Sequence, residues 1–135
     1  MPAIFGYTLL NDISARDVQF RDMQITLGKN LDGFAPIGPC IVTADALPRP
    51  DAVRLMTRLN GATMQDGNTS DWLFPLPELI AFLSGVMTLE PGDVVTTGTP
   101  AGVGTFRNPQ VFMQPGDLVE IEAEGVGVLR TPIVA

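Results

Sequence analysis

Gly6-Tyr7-Thr8-Leu9-Leu10-Asn11-Asp12-Ile13-Ser14-Ala15-Arg16-Asp17-Val18-Gln19 is the stretch whose reading decides the fold. Its first half is apolar and β-prone, and its second half crowds Asn11, Asp12, Ser14, Arg16, Asp17 and Gln19 together. A strand ending in so dense a polar run delivers side chains to a pocket rim, because the scaffold fixes the strand while the loop is free to carry function. The same residue types also form turns and helix caps, since Asn, Asp and Ser hydrogen-bond to nearby backbone. From these residues alone, site and turn both stand.

The rest of the composition narrows the choice. A chain of 135 residues makes one domain, large enough to bury about two-thirds of its unfolded surface. Hydrophobic content of 45% and a mean hydropathy of +0.24 predict a filled core, with some apolar surface kept for a partner subunit. A net charge of −7 and a pI near 4.3 argue against nucleic acid as a partner, since a phosphate-backbone binder needs clustered Lys and Arg. Lys29 is the only lysine, and with Arg16 and Arg21 it lies close to the polar cluster, a local place for a small carboxylate. There is no histidine, so a Ser-His-Asp triad, a His-containing zinc motif and a Cys-His pair are impossible within this chain. The single cysteine, Cys40, excludes an internal disulfide and fits a reducing compartment. Its apolar neighbours Pro39, Ile41 and Val42 predict a buried, inert thiol. No apolar run approaches the ~20 residues that span a bilayer, and the first residues lack the basic start and long apolar stretch of a signal peptide. The expected location is the cytoplasm.

Along the chain, residues 20–32 read as loop with short helical turns, and residues 33–39, with two prolines and two glycines, as irregular backbone. A buried strand is expected at 40–44 and a half-buried one at 53–59, where Val53, Leu55, Thr57 and Leu59 alternate with Arg54, Met56 and Arg58. Asn60-Gly61 is a strong hairpin signal, with the return strand at 62–65 and a turn at Asp66-Gly67-Asn68. The best helix runs from Leu76 to Leu83 or on to Met87, with Pro75 or Pro77 at its first turn and Glu78 near its positive end. Its Leu79, Ile80, Leu83, Val86 and Met87 read as a face packed on a sheet, and Trp72 and Phe74 also read as packing. Strands follow at 94–97, 118–123 and 128–134. The glycine-rich run Gly98-Thr99-Pro100-Ala101-Gly102-Val103-Gly104 lacks the Gly-Lys-Ser/Thr ending of a phosphate loop, although Thr99 could offer its hydroxyl to an anion. Strand-rich with one good helix, the chain is mainly β with some α, an α+β sandwich or rolled sheet.

Three carboxylates fall close in sequence, Asp12, Asp17 and Asp22, of which only Asp12 directly ends an apolar strand. It is the best placed to hold a hard cation such as Mg²⁺, whereas Asp17 could equally pair with Arg16 or Arg21. One aspartate is thin for a complete metal site. Glu120, Glu122 and Glu124 share one face of a strand, and a solvated outer face accounts for them.

Several blocks, in order and at matched spacing, now carry a resemblance: Gly6-Tyr7-Thr8 with Asn11 to Gln19; Gly28-Lys29 with Asp32-Gly33-Phe34 and Pro36-Ile37-Gly38-Pro39; Asn60-Gly61 with Gln65; Thr88-Leu89 with Pro91-Gly92-Asp93-Val94; Thr97 to Gly104; and Gly116-Asp117. The chain resembles the fumarylacetoacetate hydrolase family, in the later part of its C-terminal catalytic domain. The resemblance implies a mixed β-sandwich roll, usually dimeric, built around Mg²⁺ or Mn²⁺, acting on oxo- and hydroxy-dicarboxylates such as acylpyruvates and aromatic-catabolism intermediates by hydrolysis, isomerisation or decarboxylation. It implies Asp12 as a metal ligand, Arg16 and Gln19 as residues facing substrate, Lys29 as the pocket lysine with a catalytic part, and Thr99 as the contact to the substrate carboxylate. The Glu-x-Glu pair that supplies the family's other metal ligands, and the acid–base pair of its lid, belong upstream of the strand at Gly6 and have no counterpart here. Residues 1–135 are therefore expected to form a single but incomplete catalytic domain, weak or inactive alone, forming a dimer or higher homo-oligomer because missing strands expose edges. The alternative expectation is a non-catalytic remnant acting as an oligomeric scaffold or a small-anion binder.

Overall fold

The computed structural model describes residues 3–21 and 25–134. β1 (Gly6–Leu10) forms where the apolar half of the opening stretch predicts it, followed by a short α1 (Arg16–Gln19) and a 3-10 turn over Ile25–Lys29. β2 (Ile37–Thr43) pairs antiparallel with β1. It begins earlier than expected, inside the Gly38-Pro39 segment read as irregular backbone. The register shifts between Tyr7 and Leu9, and such a bulge accommodates a proline that has no N–H to give to the ladder. Cys40 is exposed, with Sγ 3.6 Å from the Val126 carbonyl oxygen, which corrects the expectation of a buried thiol. Apolar sequence neighbours do not bury a residue when the strand carrying them is half of a two-stranded sheet with an open face.

The second sheet is built outward from one turn. Asn60 and Gly61 take φ of 50° and 82°, the positive pair that a two-residue hairpin requires. They fold β3 (Arg54–Leu59) onto β4 (Ala62–Asn68), which runs through the expected turn at 66–68 because Asp66, Gly67 and Asn68 stay paired with Met56, Leu55 and Arg54. α2 (Leu76–Val86) follows as predicted, and β5 (Leu118–Ala123) and β6 (Gly127–Pro132) complete an antiparallel sheet in the order β4-β3-β5-β6. Val119, Ile121 and Ala123 of β5 point into the core with Val53, Val126, Leu129 and, from the other sheet, Leu9. The opposite face of β5 is polar, as the alternation predicts. Glu120 accepts from Arg130 Nε at 2.9 Å and Glu122 from Arg58 at 2.7 Å. The chain is thus mainly β with two helices, two antiparallel sheets meeting over one apolar core.

Three expectations fail for one reason. Residues 94–97 join no ladder, and Val94 is exposed. α2 buries none of its residues: Phe82 is 69% exposed, and Val86, with Met87 just beyond, is also open. Phe74, read as packing, is exposed as well. A strand needs a neighbour for its N–H and C=O groups, and an amphipathic helix needs a surface to cover. Among the described residues neither is supplied. No described helix is long and apolar enough to cross a membrane.

The glycine-rich run is structural rather than a phosphate loop. It lies against β4 so closely that a Cβ on Gly102, which takes φ of 109°, would collide with the Met64 carbonyl oxygen, and a Cβ on Gly67 would meet Pro100 Cβ at 2.9 Å. Gly61 has the same kind of backbone with open space around it. Gly61→Ala is therefore expected to lose about 1 kcal/mol in urea unfolding and Gly102→Ala more than about 2 kcal/mol. Equal losses would contradict the close approach.

Candidate functional site

Asp12 leaves the end of β1 in extended chain, held there by Asn11 N–H donating to the Pro36 carbonyl at 3.0 Å. Lys29 arrives from the 3-10 turn. That turn is fastened to α1 by Ala15 N–H donating to Gly28 O at 2.8 Å, and by contact that leaves no room for a side chain, since a Cβ on Gly28 would meet Gln19 Cβ at 2.7 Å. The result is Lys29 Nζ 2.5 Å from Asp12 Oδ2, with the two side chains 31% and 54% exposed. A pair so open to water adds little stability. Its meaning is positional, a cation and an anion held side by side at a cleft.

Arg16 is placed differently. Its guanidinium lies between the rings of Phe20 and Phe106, 5.9 and 5.8 Å from their centroids, and donates through Nη1 to Gln19 Oε1 at 2.7 Å. The faces of the rings and a neutral amide hold it, with no carboxylate partner among the described residues. By contrast Arg21, Arg49, Arg54, Arg58 and Arg130 each sit in an ion pair. Arg16 thus keeps a charge that a ligand carboxylate could take up. Gln19 is only 6% exposed and its oxygen is committed to Arg16, so it lies beneath the site rather than on its wall. Asp17 pairs with Arg21 at 3.5 Å, and Asp22 lies outside the described residues.

Asp12, Arg16, Lys29 and Thr99 all line one open cavity of about 1380 Å³. That is more room than a small-molecule pocket uses, so a small ligand would occupy only part of it. Tyr7 lies on the same wall, and burial, with Asp51 adding to it, holds its phenol above the ordinary value, so it stays a neutral hydroxyl. The Asn11 amide nitrogen is buried with no hydrogen-bond partner among the described residues. Thr99 is tied to β4, because Gln65 Nε2 donates to Thr99 Oγ1 at 2.8 Å and to the Pro100 carbonyl at 2.7 Å. Arg107 Nη1 reinforces the seam by donating to Met64 O at 2.8 Å and Gly102 O at 3.2 Å. Neither Gln65 nor Arg107 is singled out by reading the sequence for chemistry. The available signal is Gln65 itself, a polar residue among the family-matched blocks, five residues after Asn60.

Among the described residues no three His, Cys, Asp or Glu side chains gather as a metal shell would require. Asp12 offers one carboxylate, and Lys29 occupies one of its oxygens. These residues do not fit a divalent ion as a resident group by themselves.

Comparison with known proteins agrees with the geometry. The family model described as the fumarylacetoacetate (FAA) hydrolase C-terminal domain matches residues 1–134. An oxaloacetate tautomerase of Bacillus subtilis is 45% identical over 130 residues, covering 96% of this chain and 43% of that protein. The solved structure of a fumarylacetoacetate hydrolase from Exiguobacterium antarcticum superposes with a TM-score of 0.94 at 46% identity, over 97% of this chain and 47% of the other. A 5-carboxymethyl-2-hydroxymuconate delta-isomerase from Mycobacterium smegmatis gives 0.86 at 45% identity, over 96% and 48%. The chain spans about half the length of the proteins it matches. Fold, ordered motifs and family model converge, and the chain belongs to the fumarylacetoacetate hydrolase family through that family's C-terminal domain.

Proposed function

We propose that this chain carries the anion-binding half of an active site for small oxo- or hydroxy-dicarboxylates, of the acylpyruvate or aromatic-catabolism type, in a hydrolase, isomerase or decarboxylase of the family. The observation that carries the reading is the Lys29–Asp12 pair at 2.5 Å on a cavity that Arg16 and Thr99 also line. In an acidic chain, two cations line the same cavity, and Arg16 lacks a carboxylate partner among the described residues. The similarity to an oxaloacetate tautomerase and a muconate isomerase supports a keto-acid as the ligand class.

Each residue then has a part. Arg16, flanked by two rings and steadied by Gln19, clamps one carboxylate of the ligand. Thr99 donates its hydroxyl to a carboxylate oxygen. Lys29 brings its ammonium to the oxygen where negative charge gathers as an enolate forms, which is where a fixed cation lowers a barrier most. Asp12 holds Lys29 in place, and a Mg²⁺ or Mn²⁺ ion, which the family leads one to expect, would need ligands beyond those found among the described residues. We place the protein in the cytoplasm, in keeping with its lone exposed thiol. The second reading, an anion-binding scaffold without chemistry, is favoured by the lone metal-ligating carboxylate and is separated from the first by the same titrations.

In calorimetry the full chain is expected to bind oxalate, and Arg16→Met and Lys29→Met each to weaken it about tenfold or more. Mg²⁺ alone is expected to bind no tighter than roughly millimolar, since one carboxylate holds it poorly. Tighter Mg²⁺ binding, abolished by Asp12→Ala, would show a complete metal site. Oxalate binding unaffected by both cation substitutions would overturn the reading.

The uncovered faces of α2 and of residues 94–97 belong to the same proposal, as surface that a second copy covers. Light scattering at micromolar concentration is expected to give a dimer or larger species. A clean monomer would contradict it.

A further inference from the structure

Gln65 makes two bonds that together fix the direction of a third. The Pro100 carbonyl oxygen can only accept a hydrogen bond, so the amide atom 2.7 Å from it is the nitrogen of Gln65 and not its oxygen. That nitrogen carries two hydrogens. One goes to Pro100, and the other reaches Thr99 Oγ1 at 2.8 Å. Thr99 Oγ1 is therefore an acceptor toward Gln65, and its own proton has to point elsewhere. A free threonine hydroxyl rotates and both gives and takes, so it discriminates poorly between ligands. This one has the direction toward Gln65 closed to its proton by a neighbour that lines the same cavity.

We propose that Gln65 is a positioning residue that occupies one acceptor site of Thr99 Oγ1 and biases its hydroxyl toward donating, favouring a carboxylate or carbonyl oxygen at that point of the cavity. The inference rests on the reading of Thr99 as a ligand contact. It goes further by assigning the selectivity of that contact to a side chain on β4 acting through Thr99. The close seating of Gly67 on Pro100, and of Gly102 on Met64, keeps the loop where the amide can span both oxygens. A longer gap would leave Gln65 one bond only, and the hydroxyl free to turn.

The test is a two-by-two cycle of oxalate affinities, measured by NMR titration of the full chain without metal. The four proteins are the unaltered chain, Gln65→Met, Thr99→Val and the double variant, with circular dichroism confirming that each is folded. Thr99→Val, which removes the donor, is expected to weaken oxalate about tenfold or more, as for a lost bond to a charged group. Gln65→Met, which leaves the hydroxyl but frees its rotation, is expected to weaken it about threefold to tenfold. In the Thr99→Val background the same change is expected to have no further effect. A role limited to fastening the loop would persist in that background, so independent, multiplying losses overturn the inference, as does Gln65→Met binding like the unaltered chain. Should Gln65→Met fail to fold, Gln65→Glu replaces it with the same shape and an acceptor facing Thr99, and is expected to be at least as damaging. Oxalate bound by Gln65→Glu as by the unaltered chain would overturn the inference. Absence of oxalate binding by the unaltered chain would overturn the keto-acid reading and take this inference with it. Binding that is insensitive only to Gln65 overturns this inference alone.

Discussion

The seating of Gly28 on Gln19 is the contact on which the site depends. With no side chain at position 28, the 3-10 turn lies directly on α1 and is locked by the bond from Ala15 N–H to Gly28 O. The next residue in sequence is Lys29, so its ammonium is delivered to Asp12 at the end of β1. The same short helix buries Gln19, whose amide oxygen steadies Arg16. One backbone contact thus aims both cations. It explains why the polar cluster after β1 reads equally as a turn and as a site: the turns are what present the charges.

A second, independent anchor serves the other side of the cavity. The loop from Gly98 to Gly104 is pressed onto β4 by two glycines and held by Gln65 and Arg107. β4 itself is registered by the Asn60-Gly61 hairpin and by β3, whose other edge carries β5. The core between the sheets holds Leu9 of β1 against Val119 and Ile121 of β5. The strand that ends at Asp12 and the sheet on which the Thr99 loop rests thus share one apolar core. Charge follows the same logic. In a chain of net charge −7, several arginines are consumed in ion pairs across strands or within turns, and Arg16 is held by rings and an amide instead.

Local signals were legible in the sequence wherever the physics is local. The positive-φ pair at Asn60-Gly61, the alternation of Val119, Ile121 and Ala123 against Glu120 and Glu122, and the helix over Leu76–Val86 each need only neighbouring residues to be read. The failures all involve a partner that sequence spacing does not reveal. Among the described residues, 94–97 have strand character but no ladder, α2 has an apolar face that is only partly covered, and Cys40 lies in an apolar run on an open sheet. β4 continues through Asp66-Gly67-Asn68 because the pairing partner on β3 overrides the turn tendency of those residues. At the site, Asp12, Arg16, Lys29 and Thr99 were named from ordered motifs, and the structure lines one cavity with all four. Gln65 and Arg107 escaped because their work is to hold backbone and a hydroxyl, a role that leaves no mark in residue type. Gln19, read as facing the ligand, is buried with its amide oxygen bonded to Arg16.

The central claim is that Asp12, Arg16, Lys29 and Thr99 form one site. Oxalate titration followed by backbone and side-chain NMR shifts tests it most directly. The account predicts that signals from Arg16, Lys29 and Thr99 move together, with a single midpoint. Shifts confined to one of the two anchors, or separate midpoints for Lys29 and Thr99, would contradict it.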